Sequence, residues 1–185
     1  GEPTVTDKWT RTQMALANGA DLVVELPLVY AAQPADRFAK GALILLHDLG
    51  VSDLVFGAEH PDWDFSSLVD AEQRFQQAAF QKYDQTYATQ FNQQLQAATG
   101  HSLRDPNDIL AFTYYKEVMA NHWPIKLHAI QRRGSDYHDL EISGHIASAS
   151  AIRQALTDGN MDLVRQAMPQ NCWRYLDDLN NVPTM

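Results

Sequence analysis

Asp53-Leu54-Val55-Phe56-Gly57 is a short apolar run, closed by a glycine and preceded by a stretch of helical periodicity. In that preceding stretch, Pro34 to Leu49, the apolar positions Phe38, Ala42, Leu45, Leu46 and Leu49 recur at helical spacing, and Gly50 stops the run. A helix leading into a buried strand is one αβ step. A similar step lies upstream, where Thr6 or Asp7 caps a helix running to about Asn18, Gly19 ends it, and Asp21 to Pro27 reads as a β-branched strand. Downstream, Pro106 and Asp108 open a helix whose apolar face continues through Phe112, Tyr115 and Met119, and Ile125 to Ile130 alternates as a third strand. Repeated αβ steps with apolar strands predict a parallel sheet with helices on both faces.

Between these steps, from about Ser66 to Thr99, the chain is glutamine-rich with interleaved aromatics at helical spacing. This predicts a helical hairpin inserted at about 64–100, its glutamines forming a solvated face. Two short helices, 149–157 and 160–167, then lead into a polar tail. With 185 residues, 45% hydrophobic and 20% charged, the default is a single α/β domain, 1–185. The net charge of −9 removes any general attraction to nucleic acid or anionic lipid. Cys172 is the single cysteine, so no internal disulfide can form, and a reducing cytoplasm is the expected compartment. Apolar runs such as Gly41 to Leu46 are too short to span a bilayer, so no membrane partner is expected.

Ligands on open parallel sheets bind at the carboxyl ends of the strands, which directs attention to Glu25-Leu26-Pro27, Gly57-Ala58-Glu59 and Arg132-Arg133-Gly134. Gly57 permits close backbone approach of a ligand or serves as a plain turn residue. Asn107, at a helix start, suits an adenine or ribose contact or an ordinary cap. In Ile146-Ala147-Ser148-Ala149-Ser150-Ala151-Ile152-Arg153, Ser148 or Ser150 can cap a helix whose first N–H groups meet an anion, with Arg153 reaching back one turn; an ordinary serine cap with an exposed arginine fits the same spacing. Arg132, Arg133 and Arg153 would suit a triphosphate if their elements converge, and are surface cations otherwise. The seven histidines show no pair at metal-ligand helical spacing, so no metal site is expected. No Gly-x-Ser-x-Gly and no P-loop pattern occurs.

Taken together, Gly1-Glu2-Pro3, Asp7 to Arg11, Asp21 to Pro27, Phe56 to Glu59, Pro106 to Leu110, Gln131-Arg132, Tyr137-His138-Asp139 and Ala147 to Arg153 resemble the bacterial tRNA-methionine cytidine acetate ligase family, in order and approximate spacing. The resemblance implies a Rossmann-like nucleotidyltransferase fold and a two-step reaction. Acetate and ATP, carried with magnesium, give acetyl-adenylate, and the acetyl group passes to the exocyclic amine of the wobble cytidine of elongator tRNA-Met. It implies nucleotide contacts for Gly57, Asn107, Arg132 and Arg133, and phosphate binding by Ser148, Ser150 and Arg153. Such enzymes carry a His-x-Gly-His-type motif upstream of the Gly-Glu-Pro segment, and this chain contains none. The expectation is therefore a domain lacking its first strand and the family's C-terminal region, with no catalytic residue assigned in the chain and no activity alone. Two other readings are adenylation of a small phosphate-bearing metabolite and a non-enzymatic binding module.

Overall fold

The computed structural model describes residues 4–77, 87–132 and 147–177. Its elements in chain order are α1 (Lys8–Ala17), α2 (Leu28–Ala31), α3 (Ala35–Asp48), β1 (Asp53–Ala58), α4 (Phe65–Gln77), α5 (Tyr87–Thr99), α6 (Pro106–Asn121), β2 (Lys126–Gln131), α7 (Ala149–Thr157), α8 (Met161–Ala167) and α9 (Gln170–Asp177). The chain divides into two compact units, one of Leu26–Arg132 and one of Gly1–Glu25 with Arg133–Met185.

In the Leu26–Arg132 unit, β1 and β2 pair in parallel, with Asp53 opposite Lys126 and Ala58 opposite Gln131. Parallel strands cannot be joined by a tight turn, and the connection here runs through α4, α5 and α6. Parallel strands joined through helices make the arrangement Rossmann-like, as the alternation of elements predicts. The strands' two-residue period carries Leu54, Phe56 and Ala58 of β1, with Leu127 and Ala129 of β2, into the packed interior. Along the alternate positions, Val55 is 58% and Ile130 is 55% exposed.

Two apolar clusters hold these strands to their helices. Ala58, Phe65, Leu68, Val69, Phe91, Leu95, Ala111 and Phe112 form the first, which joins the end of β1 to α4, α5 and α6. Ala39 and Leu43 of α3 meet Tyr114 and Ile125 in the second. Helix α4 starts where it does because Asp64 Oδ1 accepts from the backbone N–H groups of Ser66 and Ser67, at 3.1 and 3.2 Å. The two helices expected between Ser66 and Thr99 are α4 and α5, which pack on each other. Within α3, Gly41 lies against the Tyr30 ring of α2, where any Cβ would overlap ring carbons. Helix α6 ends on His122 in the left-handed region at φ 53°, rather than on a glycine.

The first expected strand does not form. Residues 22–27 make no ladder among the described residues, with Leu22 68% and Val24 47% exposed. Apolar, β-branched composition supplies side chains suited to a sheet, but a strand exists through hydrogen bonds to a neighbouring one, and this segment makes no such ladder among the described residues. Glu25 instead accepts from Lys8 Nζ at 2.8 and 3.0 Å.

The second unit is helical where described. Helix α1 is capped as expected: Asp7 Oδ1 accepts from Trp9 N and Thr10 N at 2.8 and 2.9 Å, and Gly19 follows the helix at φ 104°. These bonds, with one from the Thr10 hydroxyl, hold the Asp7 carboxyl below its ordinary range. Ala155, Val164 and Leu176 are buried together, with Met14, Ile152 and Leu156 packed against them. Leu176 belongs to α9, in the stretch that reads from sequence as a polar tail; Cys172, Trp173, Tyr175 and Leu176 fall within two turns, too short a run for helical periodicity to stand out. Helix α9 is held to α1 by Asn171 Nδ2 donating to Ala17 O at 2.9 Å and by Asn18 Nδ2 meeting Cys172 Sγ at 3.2 Å. Among the described residues no helix is long and apolar enough to cross a membrane.

Candidate functional site

At the carboxyl ends of β1 and β2 the chain brings three predicted site residues to one edge. Arg132 follows β2 directly, and its backbone N–H donates to Ala58 O at 3.0 Å, which extends the strand register by one step. Gln131 Nε2 adds a bond to Glu59 O at 3.0 Å. The Arg132 guanidinium is exposed and has no protein partner among the described residues. Above Gly57, the position where a Cβ would stand has nothing within 4 Å. Its backbone does not demand glycine. The missing side chain instead leaves open space beside the exposed Ile130, its register partner.

Asn107 comes to this edge from the first turn of α6, fixed by a reciprocal exchange of bonds with the segment after β1. Glu59 accepts from Asn107 Nδ2 at 2.5 Å through one carboxylate oxygen and from Asp108 N at 2.9 Å through the other. Asp108 in turn accepts from Glu59 N at 2.9 Å and His60 N at 3.0 Å through Oδ1, while Oδ2 lies 2.6 Å from His60 Nδ1. The helix start thus receives its anion from Glu59, another element, rather than from Asp105, whose side chain makes no cap bond. His60 stacks on Trp63, with ring centroids 4.3 Å apart and planes 12° from parallel, and Trp63 meets His101 at 4.4 Å.

Asp108 is fully buried, although the sequence marks it only as an acidic residue favourable to the helix dipole. Nor does the sequence single out His60 or Trp63 as site residues. The strand-end rule does point to Glu59, but nothing in the sequence links Glu59 to an Asn-Asp pair 48 residues later. Among the described residues, His60, Asp105 and Asp108 also form the group that metal-ligand chemistry would select. The direct His60–Asp108 bond accounts for its geometry.

The hydrogen bond to Asp108 raises the His60 pKa above its ordinary 6.5, against the opposing effect of partial burial. Because the folded value lies above the unfolded one, the pair's contribution to stability is fully present below pH 6.5 and is lost as pH rises through the raised value. An NMR titration of the His60 ring is expected to give a midpoint above 6.5, and Asp108→Asn should return it toward 6.5. An unchanged midpoint in the variant would remove Asp108 as the cause.

The remaining predicted residues belong to the other unit or lie outside the described residues. Arg133 and the Tyr137-His138-Asp139 segment fall outside them. Ser148 is the N-cap of α7, its Oγ accepting from Ala151 N at 2.9 Å, and Ser150 lies in the first turn. Arg153 lines a cavity of about 240 Å³ with Arg11 and the apolar Met14, Ile152, Leu156 and Leu176. The structure thus places Gly57, Asn107 and Arg132 within one unit, and Ser148, Ser150 and Arg153 on one helix of the other, the two serines at its start and Arg153 a turn further on.

Sequence and structure comparisons converge on one family. The chain is 56% identical over 183 residues to the tRNA(Met) cytidine acetate ligase of Limosilactobacillus reuteri, a match covering 99% of this chain and 48% of that protein. The same identity and coverage hold for the ligase of Limosilactobacillus fermentum. The chain spans about half the length of these relatives. Among solved structures, Thermotoga maritima TmcAL in its apo form superposes with a TM-score of 0.85 at 30% identity, covering 97% of this chain and 46% of that one. The same protein bound with alpha-thio ATP gives a TM-score of 0.77 at 28% identity, covering 97% of this chain and 45% of that one. Residues 1–184 match the profile described as HIGH Nucleotidyl Transferase, and with nearly every residue covered the chain belongs to that family.

Proposed function

We propose that this chain forms the nucleotide-binding part of an ATP-dependent tRNA(Met) cytidine acetate ligase. The observation that carries the reading is the edge where Gly57, Asn107 and Arg132 meet at the strand ends, in a chain 56% identical to proteins named for that activity and similar to one solved with an ATP analogue. The open surface at Gly57 beside Ile130 accommodates a flat nucleoside, Asn107 offers a polar contact, and the Arg132 guanidinium offers charge to the phosphates. Arg133 is assigned to nucleotide binding as well, and Ser148, Ser150 and Arg153 to phosphate binding on α7.

In the proposed reaction an acetate oxygen attacks the α-phosphorus of ATP, taken as its magnesium complex, and pyrophosphate leaves. The exocyclic amine of the wobble cytidine of elongator tRNA-Met then attacks the acetyl carbon, AMP leaves, and the amine loses a proton. Residues of this chain bind and orient the nucleotide and offset charge as it builds on phosphorus. No group here is assigned proton transfer or nucleophilic attack. The cytoplasm, where tRNA and ATP meet, is the compartment this function requires.

ATP–pyrophosphate exchange with and without acetate, on the 185-residue chain and on the complete translated protein, tests the reading. Acetate-dependent exchange is expected from the complete protein. Exchange indifferent to acetate would point to another adenylyl acceptor, and its absence from folded complete protein would end the ligase reading. Arg132→Ala in the complete protein is expected to lower kcat/KM for ATP by about 10-fold to 100-fold, the scale of a lost charge-assisted phosphate bond. Unchanged kinetics would remove Arg132 from the site.

A further inference from the structure

Asn107 is held by an acceptor-only partner, and that fixes which way round its amide stands. A carboxylate has no hydrogen to give, so the Asn107 atom at 2.5 Å from Glu59 Oε1 is the nitrogen. The second Glu59 oxygen is taken by Asp108 N, a backbone donor that cannot turn away. Glu59 is itself anchored through its own N–H on the buried Asp108 carboxylate. The Asn107 oxygen is therefore left on the other branch of the amide, and among the described residues it has no protein partner.

From this juxtaposition, and resting on the nucleotide-binding reading above, we infer that Glu59 is a positioning residue that sets the polarity of Asn107, turning its Oδ1 outward to accept a hydrogen bond from a donor on the nucleoside. The donors such a ligand carries are the ribose hydroxyls and the 6-amino group of adenine. An amide turned the other way would set N–H against the N–H of a 6-amino group, losing the bond and desolvating a donor, and would oblige a ribose hydroxyl to turn its hydrogen away and accept instead. Glu59 touches no ligand in this role and acts only through Asn107.

Glu59→Gln inverts the arrangement with almost no change in shape. Asp108 N still requires an oxygen, so the substituted amide turns its nitrogen toward Asn107 and forces Asn107 to present its own oxygen inward. ATP affinity of the full chain, measured by calorimetry, is expected to fall about tenfold in E59Q and in Asn107→Ala. The double variant E59Q/N107D restores an outward oxygen, because the amide introduced by E59Q can donate to one oxygen of the carboxylate introduced by N107D and leave the other facing the ligand. It should recover wild-type affinity to within about threefold, with the summed charge of the pair unchanged. A merely structural role for Glu59 gives no such rescue. Titrations with 2′-deoxy-ATP, 3′-deoxy-ATP and purine riboside triphosphate identify the donor: the analogue lacking it binds the wild type weakly and is indifferent to E59Q. Wild-type affinity in E59Q alongside weakened N107A, or failure of the double variant to recover, overturns the positioning role and leaves Asn107 in the site. Wild-type affinity in both single variants removes Asn107 itself, and absence of saturable ATP binding by the wild type overturns the nucleotide reading beneath both.

Discussion

Asp108→Ala is expected to destabilise the Leu26–Arg132 unit by about 3 kcal/mol, measured as a loss of amide-exchange protection in β1 and β2. The wild-type carboxylate is fully buried and takes three N–H donors, two from the backbone of Glu59 and His60 and one from the His60 ring. Alanine removes every acceptor at once. Each orphaned buried donor costs about 1–3 kcal/mol, and the half-exposed His60 ring limits the total because it can turn to water. Asp108→Asn separates the contributions. Its carbonyl oxygen can still serve both backbone donors, so its cost should be near ~1 kcal/mol, the value of one charge-assisted bond partly replaced by solvent. Equal losses in the two variants would mean that the His60 bond, rather than the backbone pair, carries the stabilisation.

That pair illustrates what the sequence could and could not disclose. Periodicity placed α3 because an amphipathic helix writes its buried face into the chain at a fixed interval, while α6 and α7 were marked at their starts, by Pro106 with its acidic neighbours and by the serine cap. It placed β1 and β2 because each is a short apolar or alternating run bounded by breakers. The segment Asp21 to Pro27 carries the same signal and forms no ladder among the described residues, since a strand is a property of two segments and periodicity describes one. Gly57, Asn107 and Arg132 could be nominated because strand ends and helix starts are readable positions. Glu59 and Asp108 could not be joined, because their bonds depend on how α6 lands beside β1, and no local pattern encodes a contact across nearly 50 residues. For the same reason Asp108, an ordinary dipole partner by its position in the sequence, is the most deeply buried acid among the described residues.

Phe65→Ala should have a larger effect on stability, about 3–5 kcal/mol, with little effect on the site's own affinity. The ring is 1% exposed at the first position of α4. It stacks on Tyr115 of α6 at 5.6 Å and meets Trp63 at 6.2 Å, in the cluster that also buries Ala58 at the end of β1. Deleting it removes the apolar surface of a whole ring and leaves a void that α4, tied at its start by Asp64, can close only in part. Because Phe65 bridges α4 to α6, the two helices and β1 should lose exchange protection together. Phe65→Leu, which keeps most of the volume, should cost about 1–1.5 kcal/mol. Nucleotide affinity measured well below the unfolding transition should stay within about twofold of wild type, since the Glu59–Asn107–Asp108 bonds do not pass through the ring. A loss confined to α4, with α6 and β1 still protected, would show that the cluster does not bind the site's two supporting elements into one cooperative piece.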